Sequence, residues 1–118
     1  MGLRQDRIAD QIRDVIASVF SRDEISDPRL SGVSITAVHV TADLQIAKVY
    51  YRLLDKNDET IAAAKQGFQS CKGFLRKKLS GVLDLRRAPE LRFFFDKSVE
   101  EGARIEGLLS DVKDEEDT

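Results

Sequence analysis

The chain reads as one α+β domain with elements in the order αββα(α)βα. Three patterns carry that reading. An apolar stripe at period 3.6 opens the chain, two alternating segments rich in β-branched residues follow, and a longer apolar stripe precedes a short aromatic segment. The 118 residues suit a single domain, and a chain this long buries roughly two-thirds of its unfolded surface without staples.

The first helix is predicted from Ile8, Ile12, Val15, Ile16, Val19 and Phe20, which fall on one face. It should end near Ser21, ahead of Asp27-Pro28, because a residue before proline avoids the α region. Residues 33–40 (VSITAVHV) read as a strand. Val33, Ile35 and Ala37 share one face and Val38 and Val40 the other, so either both faces are partly covered or a bulge near Ala37 shifts the phase. Residues 45–54 alternate as a second strand, with Ala47, Val49, Tyr51 and Leu53 together; the short connection predicts an antiparallel hairpin. A helical pattern covers 58–83, its stripe made by Ala64, Phe68, Cys71, Leu75, Leu79 and Val82. Gly73 interrupts it and is either tolerated or marks a kink. Pro89 opens a third strand with Leu91, Phe93 and Phe95 on one face. Ser98 and Glu101 form a capping-box pattern for a last helix carried by Ile105, Leu108, Leu109 and Val112. The domain is placed at 1–112, with an acidic, disordered tail at 113–118.

Composition excludes several classes. One cysteine allows no intramolecular disulfide and no cysteine-built zinc site. No apolar run approaches the ~20 residues that span a bilayer, and the N-terminus lacks a signal-peptide layout. A soluble, cytoplasmic, monomeric protein is expected, without membrane partners. The Walker and dinucleotide glycine patterns are missing. His39, the only histidine, lies mid-strand with no nucleophile beside it in sequence, and Cys71 sits on an apolar stripe. They read as a surface histidine and a small core residue, so neither a catalytic residue nor a metal or cofactor site is assigned.

The net charge of −2 hides an asymmetry. Asp111, Asp114, Glu115, Glu116 and Asp117 crowd the C-terminus against Lys113 alone, and residues 1–110 carry 18 basic and 16 acidic side chains. Within 70–92, Lys72, Arg76, Lys77, Lys78, Arg86, Arg87 and Arg92 face only Asp84 and Glu90. On a straight helix, Lys65, Lys72 and Arg76 line up roughly 100° from the apolar stripe. Arginines near one helix end suit phosphate contacts, because guanidinium groups bind phosphate bidentately. For the lysines alone, an ordinary solvated face is an equal alternative.

Four segments together resemble the bacterial ribosome-binding factor A family: Asp27-Pro28-Arg29-Leu30, the run VSITAVHVTADLQIAKVYY at 33–51, Gly73-Phe74-Leu75-Arg76, and Arg86-Arg87-Ala88-Pro89-Glu90-Leu91-Arg92-Phe93. Each is weak alone. The ordered set, with the N-terminal amphipathic helix, spans about 4–112. The resemblance implies a KH-like fold of type II order, αββααβ, in which an Ala-x-Gly helix kink replaces the GXXG loop. The matching triplet is Cys71-Lys72-Gly73, with cysteine in place of alanine, and no GxxG occurs in the chain. That loop is what clamps single-stranded nucleotides in an ordinary KH domain.

The resemblance further implies a non-enzymatic assembly factor. Such a factor binds the free small (30S) ribosomal subunit, assists late maturation of 16S rRNA including its 5′ end, supports growth in the cold, and leaves with help from a ribosome-dependent GTPase. On that basis Lys72, Arg76, Lys77, Lys78, Arg86 and Arg87 are expected to contact rRNA phosphates, with Arg29 as an addition. No exposed aromatic for base stacking is expected; Phe93 and Phe95 are assigned to the core. The acidic tail either opposes promiscuous RNA binding or only solubilises the end. The alternative function is a small protein-interaction module with an incidental basic patch. Salt separates the two, since phosphate-dominated binding falls steeply with ionic strength.

Overall fold

A computed structural model describes residues 3–97. Helix α1 (Leu3–Ser21) leads through a 3-10 turn (Pro28–Leu30) into strands β1 (Val33–Val40) and β2 (Ile46–Leu53). Helix α2 (Asp58–Ser80) and strand β3 (Glu90–Phe95) follow. The sheet order is β1-β2-β3, with β1 antiparallel and β3 parallel to β2. α1 packs across β1, and α2 packs across β3 and against the 3-10 turn. The expected last helix and acidic tail lie outside the described residues.

The question of phase in β1 is settled by a bulge. The register against β2 slips between Ile35 and Ala37, leaving Thr36 as the extra residue. Val33 and Ile35 before it, and Val38 and Val40 after it, therefore all face the core. Opposite them stand Leu53, Tyr51, Val49 and Ala47, and beyond those Leu91, Phe93 and Phe95. The extra residue is held by its side chain: the Thr36 hydroxyl lies 2.6 Å from Asp96 Oδ2 and 3.3 Å from the Tyr50 carbonyl.

Phe68 of α2 is the hub of the core. Its ring stacks on Phe93 at 4.2 Å and 13°, and it also meets Tyr51 and Phe20. Burial of an aromatic at such a centre is worth about 3–5 kcal/mol against alanine. α1 contributes Ile8, Ile12, Ile16 and Val19, the innermost part of the predicted stripe. Gln5 ties its start to the sheet by donating Nε2 to the Val40 carbonyl at 2.9 Å.

α2 is complemented at both ends. Asn57 Oδ1 accepts from the Thr60 amide at 2.8 Å, Asp58 and Glu59 occupy the first turn, and Lys77 and Lys78 the last. The segments on either side of Cys71-Lys72-Gly73 are joined in one helix, Asp58–Ser80. Gly73 is exposed, its φ is not left-handed, and a side chain built there meets nothing within 4 Å. Nothing at that position demands a break, so the buried stripe of Ala64, Phe68, Cys71 and Leu75 runs on. The glycine that matters is Gly67. A Cβ there would lie 2.9 Å from Leu30 Cγ and Cδ2 and 3.3 Å from Arg29 Cβ. α2 sits on the 3-10 turn only because position 67 has no side chain. The helix also stops sooner than the periodicity suggested: Leu83 turns inward and Val82, expected on the stripe, is half exposed.

Candidate nucleic-acid interface

The basic residues singled out by the sequence fall into three groups. Arg86 and Arg87 are exposed on the loop between α2 and β3, and Lys77 on the last turn of α2; Lys72, one turn before Arg76, is half-buried. None of these four forms an ion pair among the described residues. They are uncompensated cations around the C-terminal half of α2.

Arg76 and Arg29 are differently employed. Arg76 donates Nε and Nη2 to the Ala88 carbonyl at 3.2 and 3.0 Å. Its guanidinium thereby clamps the loop that carries Arg86 and Arg87. Arg29 pairs with Asp27 through Nε at 3.0 Å and Nη2 at 2.8 Å, and Nη2 also reaches Ser70 Oγ at 3.2 Å. The Arg29 side chain holds the Asp27 carboxyl below its ordinary value, and the pairing raises Arg29 in turn. Much of the positive charge at Arg29 is spent on fastening the 3-10 turn to α2.

Lys78 turns toward the loop that follows α1. Its Nζ lies 2.6 Å from Glu24 Oε1 and 5.9 Å from the centre of the Phe74 ring. Arg92 pairs with Glu90 at 3.2 Å. The fold thus gathers Arg76, Arg86 and Arg87 at one place, sets Lys72 and Lys77 along the adjoining helix, and leaves Arg29 and Lys78 bound to acidic partners elsewhere.

The gathering place is an open cleft of about 570 Å³, lined on one side by Arg76, Leu85, Arg86, Arg87 and Ala88, and on the other by Asp43, Leu44, Gln45 and Glu90. The second wall is the β1–β2 turn. Thr41 Oγ1 donates to Asp43 Oδ1 at 2.7 Å, and the Gln45 amide donates to the same oxygen at 3.1 Å. These bonds hold the Asp43 carboxyl below its ordinary value. Leu44, at the tip, takes a left-handed φ of 62°, and the Glu90 amide donates to the Gln45 carbonyl at 2.8 Å. Both walls are built by the protein's own hydrogen bonds.

Comparison with known proteins decides what this framework belongs to. The family model described as ribosome-binding factor A matches residues 4–109. The chain belongs to the ribosome-binding factor A family. The ribosome-binding factor A of Desulfatibacillum aliphaticivorans is 39% identical over 109 residues, covering 92% of this chain and 87% of that protein. The crystal structure of ribosome-binding factor A from Thermus thermophilus matches with a TM-score of 0.63 at 21% identity, over 76% of this chain and 93% of that one. A homology model of the ribosome binding factor A of the same organism, fitted into a cryo-electron microscopy map of a 30S–RbfA complex, gives 0.61 at 21% identity, over 75% and 91%. At such identities the structures establish the shared fold.

Within this family framework three features escaped the sequence reading. Phe74 is 42% exposed, so an aromatic does stand on the basic helix. Its position outside the apolar stripe was the available signal. The clamp from Arg76 to a backbone carbonyl has no sequence signature, and neither has a left-handed leucine in a turn. His39 is exposed, its ring edge-on to Tyr50 at 5.7 Å. Cys71 is buried, and burial pushes its thiol up to about 11. Among the described residues no helix is long and apolar enough to cross a membrane.

Proposed function

We propose that this protein binds the free small ribosomal subunit by contacting 16S rRNA phosphates, and so assists late maturation of that rRNA, including its 5′ end. It acts by binding and not by catalysis, as a cytoplasmic monomer, and leaves with help from a ribosome-dependent GTPase. The observation that carries this reading is membership of the ribosome-binding factor A family, together with a relative of the same fold fitted into a 30S complex map. The uncompensated Lys72, Lys77, Arg86 and Arg87 supply the physical means. Cations freed of intramolecular partners release counterions when they meet phosphates, and such contacts position a protein without reading sequence. Arg76 is the residue that holds the arginine loop in place, and Arg29 and Lys78 are secondary because each already has an acidic partner.

The test is co-sedimentation of the protein with separated small subunits, large subunits and intact ribosomes. Enrichment on free small subunits is expected. Equal occupancy of small and large subunits would reject the reading.

A further inference from the structure

We propose that the cleft between the β1–β2 turn and the arginine loop receives one unpaired nucleotide. Its phosphate would lie on Arg86 and Arg87, its base against Leu44 and Leu85. This deepens the RNA-binding reading above and rests on it. The cleft, about 570 Å³, falls within the ~300–1,000 Å³ range of small-molecule sites. Its lining offers both parts that a nucleotide needs: the Arg86 and Arg87 side chains, with no ion pair among the described residues, and the apolar side chains of Leu44 and Leu85.

The opposite wall carries Asp43, whose Oδ1 is occupied by Thr41 and Gln45. Its Oδ2 makes no hydrogen bond among the described residues. A carboxylate repels a second phosphate but accepts from the N–H groups on a base edge. The pairing of walls therefore fits a base with one phosphate better than a bare phosphate chain.

Leu44 is the telling residue. Glycine or asparagine would take its left-handed φ of 62° without strain. A leucine held there by the Thr41–Asp43–Gln45 bonds packs partly against the core and partly lines the cleft, and strain of this kind gathers at ligand sites. The opposite wall is equally fixed, because Arg76 holds the Ala88 carbonyl. Unpaired nucleotides are also the part of RNA whose bases are open to a pocket.

The experiment is an NMR titration of the isotope-labelled full chain with 5′-GMP, 5′-UMP and inorganic phosphate at matched ionic strength. Nucleotide shifts should centre on the amides of Leu44, Gln45, Leu85 and Ala88, and at least one nucleotide should saturate them tenfold below phosphate. Arg86→Gln with Arg87→Gln, both exposed, should abolish binding of nucleotide and phosphate alike. Leu44→Asn, which relieves the strained φ, should reduce nucleotide binding to the level of phosphate. If that variant does not fold, the arginine variant and the position of the shifts still decide. Equal affinity for nucleotide and phosphate, or shifts away from the cleft, would overturn the proposal. If those results came while wild-type protein still sedimented with small subunits, the cleft assignment alone would fall. Loss of small-subunit binding by wild-type protein would reject the rRNA reading itself.

Discussion

Gly67 and Gly73 stand six residues apart on the same helix and are expected to respond in opposite ways to alanine. At Gly67 a methyl group would press on Leu30, which is itself 4% exposed. Overpacking of that kind costs about 1–3 kcal/mol, more than the ~1 kcal/mol that alanine gains in helix propensity. Gly73→Ala meets open space and should stabilise by up to about 1 kcal/mol. Urea midpoints of the two variants check this: a lower value for Gly67→Ala, a higher one for Gly73→Ala. From the sequence alone Gly73 drew attention because it interrupts a stripe. The need for glycine at 67 comes from the 3-10 turn that lands on it, a tertiary contact that periodicity does not encode. Cys71 was legible, since it lies on the stripe. With the thiol pushed up to about 11 in the fold, against an ordinary value near 9, burial favours the protonated form. That contribution to stability is full below about pH 9 and is lost as pH rises toward 11. Alkylation by iodoacetamide at pH 8 should accordingly be slow in the native protein and fast in urea; rapid labelling of folded protein would place the thiol at the surface.

At the scale of elements, most of the fold could be read because burial and periodicity agree. The stripes of α1 and α2 and the alternation in β2 each point to a single face. β1 was ambiguous for a definite reason: Thr36 is an extra residue, and the bulge that absorbs it is recognised by its partners Asp96 and Tyr50, far away in sequence. The loop between α2 and β3 was legible in charge but not in construction. Its arginines read as a phosphate-binding cluster, whereas the distinction between Arg76, which builds the loop, and Arg86 and Arg87, which project from it, depends on one backbone carbonyl. Arg76→Gln should leave the buried Ala88 carbonyl without its two donors, costing about 1–3 kcal/mol. Arg76→Lys should not restore both bonds, because an ammonium lacks the guanidinium fork. Exposed Arg86→Gln and Arg87→Gln should each stay within about 0.5 kcal/mol. Thermal unfolding and hydrogen exchange of the 84–88 amides measure the difference; equal stability of Arg76→Gln and the exposed variants would show that the clamp does not hold the loop.

For the whole molecule, total charge is a poor guide, since a net −2 coexists with a local concentration of uncompensated cations. Three acidic residues of the described fold are matched to particular bases, Asp27 to Arg29, Glu24 to Lys78 and Glu90 to Arg92. Within the basic stretch 70–92, where Lys78 and Arg92 are ion-paired and Arg76 is bonded to the Ala88 carbonyl, Lys72, Lys77, Arg86 and Arg87 are the side chains left to meet an external anion. The central claim is that these four carry binding to the small subunit. The direct measurement is the affinity of full-length protein for purified small subunits across a salt series. Wild-type protein is compared with a variant carrying Lys72→Gln, Lys77→Gln, Arg86→Gln and Arg87→Gln, first shown to keep its thermal stability. Binding should weaken at every salt concentration. The log–log salt slope should also flatten by roughly 0.7–0.9 per lost phosphate contact, about 3 in all. A folded variant with wild-type affinity and wild-type salt slope would contradict the claim and place the phosphate contacts elsewhere on the protein.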